Sequence, residues 1–304
     1  MSSKRILIST APEWLGLGDV IWFLPTIKKL HSITGAKIDV VTQYPQIFKN
    51  NPYVSEIFIL KTFDFSCQSG NHFCFQPFLG GSDGSVHWFC VNIKQLVANK
   101  CGFSLSPEEE QIEFFPEPRQ ITDLPSNFVF LNASKRGPDR DIGRNNWQKL
   151  IYNLNDAGIP VVVEGVKEHT HELEIKNGLN LCDQNGSLSR TWHLINDSSC
   201  FVTFDTGMYI LAGTTQTQIF LINSYFDNRW HKPYRNGSYD YKLKVIDEGK
   251  CFEKCLGNLK YYQTDNGFWQ PKPQICPTNR NFCCIPSVEK ITEEIINYHS
   301  ANKK

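Results

Sequence analysis

Two short stretches carry residue types suited to chemistry on an anion. Gly16-Leu17-Gly18-Asp19 follows the β-branched run Arg5 to Thr10 and precedes apolar residues at Val20, Ile21, Leu24, Ile27 and Leu30, a helical spacing. Asp205-Thr206-Gly207 follows the apolar run CFVTF and precedes MYILAG. In both places a strand is expected to turn into a helix, which leaves backbone N–H groups and the positive end of a helix dipole aimed at one point, a setting that suits phosphate. The first stretch equally suits a tight connection in which Asp19 stands at the helix N-cap. A third feature adds cations: the run NFVFLNAS ends in Ser134, Lys135 and Arg136, with Arg140 and Arg144 beyond. These suit either a bound anion or an ordinary solvated loop.

The eleven cysteines divide into two groups. Cys67, Cys74, Cys90, Cys101, Cys182 and Cys200 are dispersed and read as small buried hydrophobes. Cys251, Cys255, Cys276, Cys283 and Cys284 crowd into one segment, where Cys251 and Cys255 from one turn, with Cys276 and Cys284 or Cys283 from a later loop, could close a tetrahedral thiolate site for Zn or Fe. Such a site is structural, because four thiolates leave no open coordination position. Incidental buried thiols are the competing reading.

The elements that must position these residues alternate. In the first part, RILIST and AKIDVVTQ read as strands around a helix, PQIFKNNPYVSEIFIL as a short helix and a strand, and PEEEQIEFFPEPRQ as a strand and a proline-rich linker. The helical spacing of VHWFCVNIKQLVANKCG follows a Gly- and aromatic-rich loop. A second alternation runs through NFVFLNAS, NNWQKLIYNLNDAG, IPVVVEG, SLSRTWHLINDSS, CFVTF and TQIFLINS, and the chain closes on an amphipathic helix expected to pack back across both parts. Alternating strands and helices predict parallel sheets with helices on both faces. The expected organisation is an α/β N-terminal domain over 1–118, a C-terminal domain over 119–285 that binds the ligand and carries the cysteines, and a terminal helix over 286–304.

With 304 residues there is room for two such domains, and 31 basic against 31 acidic residues exclude a global field for nucleic acid or an anionic membrane. The chain shows neither a signal-peptide pattern nor an apolar run near the ~20 residues of a membrane span. A cytoplasmic protein is expected, and its reducing compartment favours the metal over disulfides.

Taken in order, these stretches carry a resemblance. GLGDVIWFLPTIKKLHSITGAKIDVVTQYPQIFKNNPYVSEI and SLSRTWHLINDSSCFVTFDTGMYILAGTTQTQIFLI resemble glycosyltransferase family nine, the ADP-heptose transferase family. The cysteine segment, with Asp265, Trp269 and Cys276-Pro277, resembles the iron-containing branch of bacterial autotransporter heptosyltransferases, as does NSYFDNRWHKPYRNGSY upstream. The resemblance implies a GT-B fold of two Rossmann-like domains and inverting transfer of a sugar, a heptose in that branch, from a nucleotide diphosphate donor. Asp19 matches the general base. Gly18, Ser134, Arg136, Glu168, Asp205, Thr206 and Gly207 are the expected donor-side residues, Lys135 faces the pyrophosphate, and Fe is favoured at the cysteines. No catalytic divalent cation is expected, and the acceptor is a protein, a glycan or nucleic acid. A homo-oligomer fits this picture. The family's histidine after the Asp-Ser-Gly turn is Ile210 here, and Met208-Tyr209 replaces its Pro-Met.

Two rival readings stay open. A DNA- or nucleotide-modifying glycosyltransferase would stack a base on Phe73, Phe75, Phe78 or Trp88, and a non-catalytic module would bind a nucleotide sugar without turning it over. A nicotinamide dehydrogenase fits poorly, since the first turn lacks a G-x-G-x-x-G pattern.

Overall fold

The computed structural model describes residues 5–10, 15–65, 92–133, 140–165, 173–182, 186–223, 231–247 and 285–302, with the backbone alone at 72–75, 261–263 and 269–271. Two parallel sheets dominate it. The first has the order β3-β2-β1-β4, from β1 (Arg5–Ser9), β2 (Lys37–Thr42), β3 (Val54–Ile59) and β4 (His72–Phe75). The second has the order β10-β9-β8-β5-β6-β7, from β5 (Val129–Asn132), β6 (Val161–Glu164), β7 (Gly178–Asn180), β8 (Cys200–Phe204), β9 (Gln218–Ile222) and β10 (Leu243–Ile246). A short antiparallel pair, β11 (Tyr261–Gln263) with β12 (Trp269–Pro271), lies apart from both.

Central strands are buried from end to end, as in β5, β6 and β8, which is why they read as continuous Val, Ile, Leu and Phe rather than alternating. Among the described residues the helices are α1 (Leu17–Ile21), α2 (Leu24–Thr34), α3 (Ile93–Lys100), α4 (Arg144–Asp156), α5 (Leu188–Asp197), α6 (Gly207–Ala212) and α7 (Val288–Ala301). Asn92, Ser187 and Ser287 accept the N–H three residues on and so cap α3, α5 and α7.

Three expectations are corrected. The helix predicted to start after Asp19 is two helices, because Pro25 lacks an N–H and its ring excludes the carbonyl four residues back; the chain tightens at Phe23, whose N–H reaches Val20, and α2 restarts with Pro25 in its first turn. The stretch PEEEQIEFFPEPRQ forms a single 3-10 turn, Glu108–Glu110, and beyond it pairs with no strand among the described residues. Its Ile112 and Phe114 are buried, while Lys28 and Tyr53 hold Glu113, so it is fixed by side chains instead of a ladder. The terminal helix α7 does not lie across both sheets. It packs on α4, burying Val288, Ile291 and Ile295 in the core of the second sheet, and His299 meets the Asn127 carbonyl.

One apolar core runs through both sheets. It joins Ile6, Ile8, Val20 and Ile27 of the first to Phe130, Phe201, Tyr209 and Leu221 of the second. Of the dispersed cysteines, Cys101, Cys182 and Cys200 are buried, and burial pushes the Cys101 and Cys200 thiols up to about 12, while Cys67, Cys90 and the side chain of Cys74 lie outside the described residues.

A candidate active site between two parallel sheets

Buried polar side chains gather just past the carboxyl ends of the strands. Ser9 ends β1 and Thr10 follows it, Thr42 ends β2, Asn132 ends β5, Glu164 ends β6, Asp205 and Thr206 follow β8, and Asn223 follows β9. Open parallel sheets bind ligands at this edge. Thr10 Oγ1 hydrogen-bonds Thr42 Oγ1 and Gln43 Oε1, both at 3.0 Å, and Gln43 Nε2 donates to the Leu15 carbonyl at 3.1 Å. These bonds clamp the start of the Gly16–Asp19 turn to the sheet.

Asp19 is half-buried in the first turn of α1, and its Oδ2 accepts the Gly16 N–H at 2.8 Å. Gly16, not Asp19, is therefore the N-cap. The aspartate acts from the third helical position, reaching back to the cap's N–H.

The two turns touch. A Cβ built on Gly18 would lie 3.1 Å from Gly207 Cα, and one on Gly207 would lie 2.9 Å from Gly18 N and 3.1 Å from Leu17 Cβ. Only paired glycines let the backbones of α1 and α6 approach so closely. Gly207→Ala forces backbone against backbone, and we expect it to lower turnover of the protein's substrate by about a hundredfold through misplacement of the turns while the protein stays folded; turnover and circular dichroism of the variant check this.

On the second sheet, Asp205 is buried and His231 Nδ1 lies 2.9 Å from its Oδ2. Burial pushes the Asp205 carboxyl up, but the His231 bond and charge, with the charge of Arg140, outweigh it and hold the group below the ordinary carboxylate range. An ionised acid accepts only, so His231 Nδ1 carries the proton. Next along α6, Tyr209 is fully buried, its hydroxyl has no hydrogen-bond partner among the described residues, and burial with the nearby Asp205 charge raises its phenol well above the ordinary value. The Asn223 Oδ1 is likewise buried without a partner among those residues.

Glu164 stands where a ribose-binding acid would be sought, but its oxygens are already engaged. Oε1 accepts from Arg190 Nη2 at 2.7 Å and Nε at 3.2 Å, and Oε2 from Thr191 Oγ1 at 2.6 Å. It ties β6 to α5 instead.

The sequence-derived set is thus placed in part. Gly18, Asp19, Asp205, Thr206 and Gly207 are brought together. Ser134, Lys135, Arg136 and Glu168 lie outside the described residues, as do Cys251, Cys255, Cys276, Cys283 and Cys284. Among the described residues no group of three or more His, Cys, Asp or Glu is arranged to hold a metal. His231, Gln43 and Glu164 were not singled out by the sequence; the last closes IPVVVEG at a strand end, which is the signal that marks it.

The overall arrangement has solved counterparts. A family 9 glycosyltransferase from Veillonella parvula superposes with a TM-score of 0.65 at 13% identity over 98% of each chain. The chain has the fold of the family 9 glycosyltransferases. TibC, an iron-containing dodecameric glycosyltransferase from enterotoxigenic E. coli, matches with a TM-score of 0.69 at 13% identity, over 99% of this chain and 77% of that one. A further TibC structure is a complex with ADP-D-beta-D-heptose. The ADP-heptose lps heptosyltransferase II of E. coli covers 99% of this chain and 100% of its own, at 15% identity and a TM-score of 0.53. No protein-family model and no curated protein sequence matches the chain.

Proposed function

We propose that the protein is an inverting glycosyltransferase of GT-B architecture, with domains over 1–118 and 119–285 and the helix 286–304, that moves a sugar such as a heptose from a nucleotide diphosphate donor to an acceptor hydroxyl. The observation that carries this reading is the meeting of the Asp19 turn with the Asp205-Thr206-Gly207 turn at the carboxyl edges of two parallel sheets, in a fold shared with structures of heptosyltransferases.

In this reading the donor diphosphate lies at the amides of Thr206 and Gly207, with Lys135, Ser134 and Arg136 adding donors and Glu168 near the ribose or sugar. Asp205 does not meet the diphosphate itself, because its ionised oxygens would repel it; it holds His231 and shapes the turn. The buried Asn223 Oδ1 is an acceptor for a donor hydroxyl or amine. Asp19 takes the proton of the acceptor hydroxyl as that oxygen attacks the anomeric carbon from the face opposite the leaving diphosphate, whose charge the fixed amides stabilise. The acceptor is a protein, a glycan or nucleic acid. A cytoplasmic setting goes with this donor class, and among the described residues no helix is long and apolar enough to cross a membrane.

Two features stay with the iron-containing neighbour. Cys251, Cys255, Cys276 and Cys284 or Cys283 would hold a structural Fe, or Zn, away from the chemistry, a reading supported by their spacing and by TibC's iron. A homo-oligomer is proposed on the same likeness, TibC being dodecameric.

The test is to supply ADP-heptose and follow release of ADP by donor hydrolysis, water taking the place of the acceptor hydroxyl, with metal content read from the same preparation. Steady ADP release is expected. A protein that binds the donor and never releases ADP is the non-catalytic module, and one that binds no nucleotide sugar is neither.

A further inference from the structure

The seam between the two sheets contains a buried charge pair that the proposed chemistry does not use. Lys94 on α3 and Glu110 in the 3-10 turn lie with Nζ 2.7 Å from Oε2, their side chains 1% and 3% exposed. Glu110 also accepts from Asn92 Nδ2 and Gln95 Nε2, both at 2.8 Å, and from the Tyr239 hydroxyl at 2.9 Å. Lys94 Nζ donates to the Lys232 carbonyl at 3.3 Å and stands over two rings, 4.7 Å from the centre of Trp22 and 5.2 Å from that of Tyr239.

These partners come from both sides of the candidate site. Trp22 directly follows α1, which carries Asp19. Lys232 and Tyr239 belong to the segment 231–242, which is strapped along α6. Before that helix His231 bonds Asp205. After it, Gly213 is so close to Pro233 that a Cβ would stand 2.3 Å from the proline's own Cβ. Beyond, the buried Arg235 donates to the carbonyls of Thr215 and Thr217 at 3.2 and 3.0 Å. The strap's Tyr234 hydroxyl reaches Glu108 at 3.2 Å, beside Glu110.

Desolvating two charges costs about as much as their attraction returns, so a buried ion pair is seldom kept for stability, and apolar replacements of both partners are often neutral or stabilising. What such a pair supplies is direction: an ammonium and a carboxylate accept one arrangement of donors and carbonyls where apolar side chains accept many. We propose that Lys94 and Glu110 are positioning residues for sugar transfer, fixing the Asp19 helix against the strap that holds the donor turn. This rests on the glycosyltransferase reading above.

The decisive variant is the double replacement K94M/E110L. It is expected to unfold in denaturant at or above the wild-type midpoint and to bind ADP-heptose within about threefold of wild type, while ADP release falls at least about tenfold, because the loss is in alignment rather than in binding. Amide exchange should rise in α1 and in 231–242 alone. Tyr239→Phe, which keeps the ring and removes only the hydroxyl on Glu110, should lower ADP release by about threefold without unfolding, and it carries the test if the double variant does not fold. Wild-type ADP release in folded K94M/E110L, or in Tyr239→Phe if only that folds, overturns the proposal. Loss of donor binding in parallel with rate overturns it too. If wild-type protein itself neither binds ADP-heptose nor releases ADP, the underlying reading has failed, a result distinct from either.

Discussion

Asp19→Asn is expected to lower ADP release and sugar transfer by about a thousandfold, the scale of a lost general base, with donor affinity held within about threefold. Asparagine is the informative replacement. The Asp19 Oδ2 accepts the Gly16 N–H at 2.8 Å, and an asparagine carbonyl can do the same, so the turn keeps its cap and only the basic oxygen is lost. Asp19→Ala would remove both at once. Because the proton is taken only as the acceptor oxygen attacks, kcat and kcat/KM should fall together while binding of donor is kept. Parallel rate and binding measurements on the two proteins read this directly. A loss confined to KM would make Asp19 a cap and a ligand, and would leave the base to be found elsewhere.

The second large effect is on stability. Lys94→Met alone should cost about 3–5 kcal/mol, because it strands Glu110 in the seam without its cation. The pH dependence has a definite sign. Burial pushes the Glu110 carboxyl up, but the charge and hydrogen bond of Lys94, with the bonds from Gln95 and Tyr239, outweigh it and hold the group below its ordinary 4.5. In wild type that depressed acid contributes stability fully present above pH 4.5 and lost as pH falls through its folded value. In Lys94→Met burial dominates and raises the acid, so folding favours its protonated form. The gap between the two proteins should therefore stay wide at neutral pH, narrow as pH falls from the variant's raised value toward 4.5, and narrow further as the wild-type acid protonates below 4.5. Denaturant unfolding at pH 7 and pH 4 checks both size and sign. An equal gap at the two pH values would show that loss of the ammonium from the Trp22 ring, rather than the stranded carboxylate, sets the cost.

Much of this architecture was legible in the sequence because the fold is built from short, strongly apolar strands. VVVE, CFVTF and QIFLI could hardly be anything else once alternated with amphipathic helices, and parallel pairing follows from that alternation. The edge strands β4, β7 and β10 were not legible, and β4 stands inside the stretch read as a Gly- and aromatic-rich loop. GLN is three residues long and partly exposed, and LKVI follows a segment rich in Gly, Ser and Tyr, so neither carries a run that announces it. PEEEQIEFFPEPRQ misled for the opposite reason: its Ile112 and Phe114 have a strand's spacing, yet they bury into the core with no partner ladder among the described residues.

The site divides in the same way. Turns that join a strand to a helix are local, so Gly18-Asp19 and Asp205-Thr206-Gly207 could be found by inspection. The groups that fix them are not local. His231 lies 26 residues from Asp205, Gln43 lies 28 from Leu15, and Lys94 lies 138 from the Lys232 carbonyl it reaches. No spacing rule connects such pairs; the crossovers of two parallel sheets do. The contact of Gly18 with Gly207 is of this kind as well, and it gives both glycines a reason for being glycine that a lone phosphate-binding turn does not supply.

The edge shared by these two turns is the proposed site of the nucleotide diphosphate sugar. Calorimetric titration of the full chain with ADP-heptose tests it most directly. Saturable binding of one donor per chain is expected, weakened in Gly207→Ala and unchanged in Asp19→Asn. Absence of a saturable heat in the wild type, or equal binding by wild type and Gly207→Ala, would contradict it.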